Sequence, residues 1–211
     1  RRGQLAQAAR LELGRAHGFG QIGLFEEAIA CVVRAGKLID PEDEPELLRE
    51  VLELHAWFAF EAGEVETACN AVELRRALDP AGPGSPGSPL LRWTEGRAAA
   101  VRGRRREAIL LLRSALRDLE ASPGHQVEAS GAGLDLAALL VAEGEIAEAT
   151  RVALAAAGLV TERPDGPLTE QDALRLLRNQ LPQIRRSCLG RLLAVSATAA
   201  GRARETARTP A

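Results

Sequence analysis

The feature that most constrains this chain is a glycine that returns at a fixed interval, followed each time five residues later by an alanine. Gly23, Gly63, Gly103 and Gly144 open the segments "GLFEEAIAC", "GEVETACNA", "GRRREAILL" and "GEIAEATRV", at spacings of 40, 40 and 41 residues. The alanines are Ala28, Ala68, Ala108 and Ala149. A self-similar period of this length marks stacked supersecondary units, each too thin to bury its apolar side alone. Helix-compatible runs precede the glycines: "AARLELGRAH", "VLELHAWFAFEA", "LRWTEGRAAAVR" and "LDLAALLVAE". A glycine between two such runs supplies a left-handed residue that ends the first helix without a Cβ clash. The alanine, on the first turn of the next helix, lets two antiparallel helices approach closely. Each unit is therefore expected to be a helix, a short turn and a second helix.

Composition agrees with that reading. Apolar residues make up 46% of the chain but aromatics only 3%, with alanine, leucine and arginine prominent. Strand cores draw on β-branched and aromatic side chains, so this balance points to an all-α protein. Four hairpins are expected within residues 1–167, at about 4–40, 44–80, 89–122 and 127–162. Their punctuation is chemical. "DPEDEPELL" places acids and Pro45 at a helix start, "DPAGPGSPGSP" at 79–89 cannot be helical, and Ser88 before Pro89 suits an N-cap. "ASPGHQ" at 121–126 and "RPDGP" at 163–167 close the later units. A further helix follows, with Thr169 and Asp172 in capping-box positions and Pro182 placed to kink or end it. This region, 168–195, is expected to cap the nearly uncharged run "SGAGLDLAALLVAEG", and the small, polar residues 196–211 to fray.

Several function classes are disfavoured. A net charge of −2 argues against a surface organised around DNA or RNA. No apolar run is long enough to span a membrane, and no signal-peptide pattern is present. Cys31, Cys69 and Cys188 are odd in number and widely spaced, which suits small buried residues in a reducing, cytoplasmic setting. Methionine is absent, so the chain reads as part of a longer protein with residues upstream.

Candidates for chemistry are few. "GFGQIG" at 18–23 fits the dinucleotide fingerprint formally, but that motif needs a buried strand before it, and a charged helix-like run stands there. Arg102, Arg104, Arg105 and Arg106 crowd the third turn beside Glu107 with no aromatic residue interleaved, so a solvated turn is expected over a phosphate grip. His17, His55 and His125 show no metal-ligand spacing, and no nucleophile signature occurs. The expectation is a non-enzyme with no cofactor and no metal.

At these residues the chain resembles the tetratricopeptide repeat family. In that pattern a small residue stands seven before the turn glycine, here Ala16, Ala56, Gly96 and Ala137, and another five after it. A third small residue comes twelve after the glycine, matched by Ala35, Ala115 and Ala156 but not by Arg75. Pro80 in "ALDP" matches the closing proline, and Pro41 stands one residue late. Residues 90–116 and 134–153 look in particular like the C-terminal repeats of long bacterial proteins of this family with no assigned role. The resemblance covers about residues 10–160 and implies a right-handed α-solenoid of about four repeats whose first helices line a concave groove. Carried over position by position, that groove would include Arg10, Leu13, His17, Glu50, Glu53, Trp57, Trp93 and Arg97. It would take a protein or peptide partner, making the chain a non-catalytic interaction scaffold. An alternative is the ligand- or peptide-sensing module of a bacterial regulator whose effector domain lies upstream. Direct RNA binding, the third option, would need a basic concave face.

Overall fold

The turn glycines do what steric reasoning asks of them. In the computed structural model, which describes residues 2–78, 88–158 and 170–194, Gly23, Gly63, Gly103 and Gly144 have φ of 77°, 84°, 76° and 83°. Each closes its helix with the same pair of hydrogen bonds. The glycine N–H donates to the carbonyl three residues back, as from Gly63 to Phe60 (3.1 Å). The next N–H donates to the carbonyl five back, as from Glu64 to Ala59 (2.8 Å). Leu24, Arg104 and Glu145 repeat the second bond to Phe19, Ala99 and Leu140. This is a Schellman cap, and it satisfies carbonyls that the helix end would orphan. The periodic alanine then makes the first bond of the next helix, as from the Ala28 N–H to the Leu24 carbonyl (3.0 Å) and from Ala149 to Glu145 (2.9 Å).

The helices so bounded are α1 (Arg2–Gln21), α2 (Phe25–Leu38), α3 (Pro45–Ala62), α4 (Val65–Leu78), α5 (Pro89–Val101), α6 (Arg105–Ala121), α7 (Gln126–Glu143), α8 (Ile146–Ala156) and α9 (Glu170–Arg186). A short helical run, α10 (188–194), follows Ser187, and no strand occurs among the described residues. The protein is all-α. Pro45 and Pro89 each open a helix, where a missing N–H costs nothing. The Ser88 hydroxyl accepts from the Leu91 N–H (3.1 Å), the N-cap that its sequence suggests. Pro182 does not end α9, which runs on to Arg186. The segment 79–87, the break at 163–167, Thr169 and the tail 196–211 lie outside the described residues.

Two compact units divide the chain, Arg1–Thr94 and Glu95–Ala211. In the first, α1 packs on α2, α2 on α3 and α3 on α4. Its core joins Leu13, Val32, Val51, Leu54 and Phe58 to a floor of alanines, with Phe19, Phe25 and Trp57 at the margin. In the second, α6 packs on α7, α7 on α8, and α9 against both α7 and α8. Small residues govern the spacing of helices in both. The positions seven before and five after the turn glycines are buried in all four hairpins. A Cβ on Gly96 would stand 2.8 Å from the Leu112 side chain, and one on Gly133 would stand 2.9 Å from the Ala156 Cβ. Those glycines set how closely the helices of one hairpin approach.

Candidate functional site

Within Arg1–Thr94, the exposed surface that could meet a partner lies along α1 and α3. Arg10 and His17 are exposed on α1, Arg10 in a loose pairing with Glu44 (3.7 Å). His17 stands edge-on to the Phe58 ring, with centroids 6.5 Å apart. On α3, Glu50 is exposed and Trp57 half-buried, its ring stacked on Phe58 at 5.1 Å and tilted against Trp93 at 6.4 Å. The Trp57 indole nitrogen is closed off from water and has no acceptor among the described residues. Leu13, one turn before His17, is core.

Glu53 is committed within the fold. It accepts from Arg75 Nε (3.0 Å) and from the Ser88 hydroxyl (2.7 Å), tying α3 to α4 and to the start of α5. This accounts for the one unit whose twelfth residue is not small. Where Ala35 and Ala115 fill space, Arg75 is 5% exposed and brings its own counter-ion. Arg75 and Ser88 were not legible as partners of Glu53. The departure at residue 75 was the available signal.

Two expected groove residues need correction. Trp93 is 3% exposed and Arg97 1% exposed, so neither offers surface to a partner. Trp93 packs among the aromatic rings of its unit. Arg97 donates from Nε to Asp135 Oδ2 (2.6 Å), with the other Asp135 oxygen accepting the Leu189 N–H (2.8 Å). Asp135 is a fully buried acid within the nearly uncharged run of α7. A lone acid in an apolar run needs a buried cation, and that rule would have found it. The pair belongs wholly to the second unit, where it links α5, α7 and α10.

The crowded arginines of the third turn are all exposed, and two of them face acids. Arg104 pairs with Glu107 (2.8 Å) and Arg105 with Glu143 (2.5 Å), as expected for a solvated turn. "GFGQIG" is the end of α1 and its turn. Gly20 is there for packing, since a Cβ on it would stand 2.4 Å from the Phe58 ring.

Burial pulls the Glu12 carboxyl up, but hydrogen bonding to Arg34 and the nearby charge of Arg15 outweigh it and hold the group below the usual carboxylate range. Burial pushes the Cys31 thiol up, which makes it a poor nucleophile at neutral pH, and all three cysteines are buried and reduced. Burial lowers His55, against an upward pull from Glu64. No cluster of metal-ligating side chains occurs among the described residues, and no helix among them is long and apolar enough to cross a membrane. No family model, curated protein or solved structure matches the chain.

Proposed function

We propose that this chain is a tetratricopeptide-like repeat array, a right-handed solenoid that works as a non-catalytic scaffold. In this reading its first-helix surfaces hold a peptide or partner helix. The observation that carries it is the fourfold recurrence of one turn: the same left-handed glycine, the same two capping hydrogen bonds and the same buried small residue on either side. Identical turns inside the hairpins give units of one shape, units of one shape favour regular stacking, and stacked hairpins bind partners with the helix faces left open. The surface available for that purpose is Arg10, His17, Glu50 and Trp57. A half-buried aromatic ring with one exposed carboxylate, Glu50, on the same helix suits a partner segment that brings apolar and basic side chains.

Panning a displayed peptide library against the protein tests this. Because Trp93 is buried, a Trp93→Phe background isolates the Trp57 fluorescence as the binding signal. Selected peptides should shift that emission, and Trp57→Ala or Glu50→Lys should weaken binding about tenfold or more. Leu110→Ser, at an exposed residue of the other unit, should leave it unchanged. Failure to select any peptide, or selected peptides indifferent to residues 50 and 57, would overturn the proposal.

A further inference from the structure

The overall charge of −2 conceals a split along the chain. Residues 1–172 hold 19 basic and 28 acidic residues, while residues 173–211 hold 8 basic residues and 1 acid, Glu205. Between 173 and 204 there are seven arginines and no acid. An even mixture of signs is what a solvated surface needs. Charge divided in this way points instead to an anionic partner.

The fold gathers part of that charge on one face. Arg178, Asn179, Pro182, Gln183, Arg185 and Arg186 are exposed on α9, and at 3.6 residues per turn they share one side of it. Leu177, Gln180 and Ile184 are buried on the other. Beyond Ser187 the exposed Arg191 reaches back, its guanidinium donating to the Arg186 carbonyl (3.1 Å), so a fourth cation joins the end of the same face. Elsewhere in this unit exposed arginines stand beside acids, Arg104 by Glu107, Arg105 by Glu143 and Arg113 by Glu148. Arg178, Arg185 and Arg186 meet none among the described residues. Cations at the end of α9 offset its dipole, but that accounts for Arg185 and Arg186 in the last turn and not for Arg178.

The chemistry of the face narrows the choice of anion. Guanidinium forks and side-chain amides are donors that suit phosphate oxygens. Residues 95–211 contain no aromatic ring, so unpaired bases would have nothing to stack on. The apolar side of α9 is spent on the core through Leu177 and Ile184, which leaves no oily face to lay into a bilayer. A face this polar is no bed for a neighbouring helix either. A half-exposed helix of positive charge remains, about as wide as the major groove of B-form DNA. We infer that the outer face of α9, together with Arg191, binds double-stranded DNA through its phosphates, whatever the sequence. Arg178 and Arg185 form one row along the helix, and Asn179, Gln183 and Arg186 a second, so donors can meet phosphates on both rims of a groove. The proposed peptide surface lies in the other unit, so the two activities can be lost separately.

Fluorescence anisotropy of a labelled DNA duplex, titrated with the whole chain at several salt concentrations, tests this. With four cations engaged, the log–log slope of affinity against salt should be about −3 to −4. Arg178→Gln, Arg185→Gln and Arg186→Gln together should weaken binding about tenfold or more at about 50 mM salt and flatten the slope to about −1. The helical circular dichroism should stay intact, because all three side chains are exposed. Arg104→Gln, Arg105→Gln and Arg106→Gln remove the same charge from the third turn and should cost about threefold or less. Unlabelled duplex should displace the probe, and poly-glutamate at equal charge should not. Absence of binding at about 50 mM salt, equal losses in the two triple variants, or displacement by poly-glutamate overturns the inference.

Discussion

The two units use one backbone frame and fill it differently. All four phenylalanines and both tryptophans lie in residues 1–94, and the second unit has none. Rings therefore make up much of the first interior, with Phe58 and Phe60 fully buried and Trp57 and Trp93 beside them. The second interior is alanine and leucine, drawn tight by Gly96 and Gly133, with the Arg97–Asp135 pair sealed inside it. Large rings tolerate wider helix spacing and bring apolar area with each residue. Alanine cores must gain their dispersion energy from close approach. The comparison teaches that the turn fixes where helices reverse and leaves the filling free, provided each interior closes by its own means. Charge differs too: acids outnumber bases fifteen to ten in residues 1–94, while bases outnumber acids seventeen to fourteen in 95–211.

The sharpest way to break this contrast is at the buried pair. Arg97→Ala should destabilise by about 3–5 kcal/mol in urea unfolding, because it strands the Asp135 carboxylate. The double change Arg97→Met with Asp135→Leu should recover most of that loss. Should the single change prove mild, the pair is not what closes the second interior. Next come the close contacts. Gly96→Val should cost about 1–3 kcal/mol by crowding Leu112, and Gly20→Val should cost a similar amount against the buried Phe58 ring. A clearly smaller effect at residue 20 would mean that the aromatic unit is the more forgiving of the two.

Smaller effects test what the units share. Alanine at Gly63 or at Gly144 should destabilise by about 1 kcal/mol in either unit, since both glycines hold the same left-handed conformation. Unequal losses in thermal unfolding would show that the joints are not equivalent. Last is His55, in the first unit alone. Its folded pKa is lowered by burial, so the unfolded chain binds the proton more readily. Stability should be unaffected by this group above about pH 6.5 and should fall as pH drops below that value. His55→Gln should remove that part of the acid sensitivity, seen as a shallower loss of urea midpoint between neutral and mildly acid pH.

What the linear chain determined on its own is the local geometry. A turn glycine acts through its own φ and through bonds to residues three and five back, so every partner it needs is close in sequence and the four reversals were readable. The alanines followed for the same reason. Ion pairs and exposures were decided only by tertiary packing. Arg97 and Asp135 are 38 residues apart, and Glu53 and Arg75 are 22 apart. No local pattern says whether an arginine on a helix points to water or to a buried carboxylate. Exposure follows the same rule: Leu11 and Val51 both stand twelve residues before a turn glycine, yet Leu11 is exposed and Val51 is buried near Gly36 of α2.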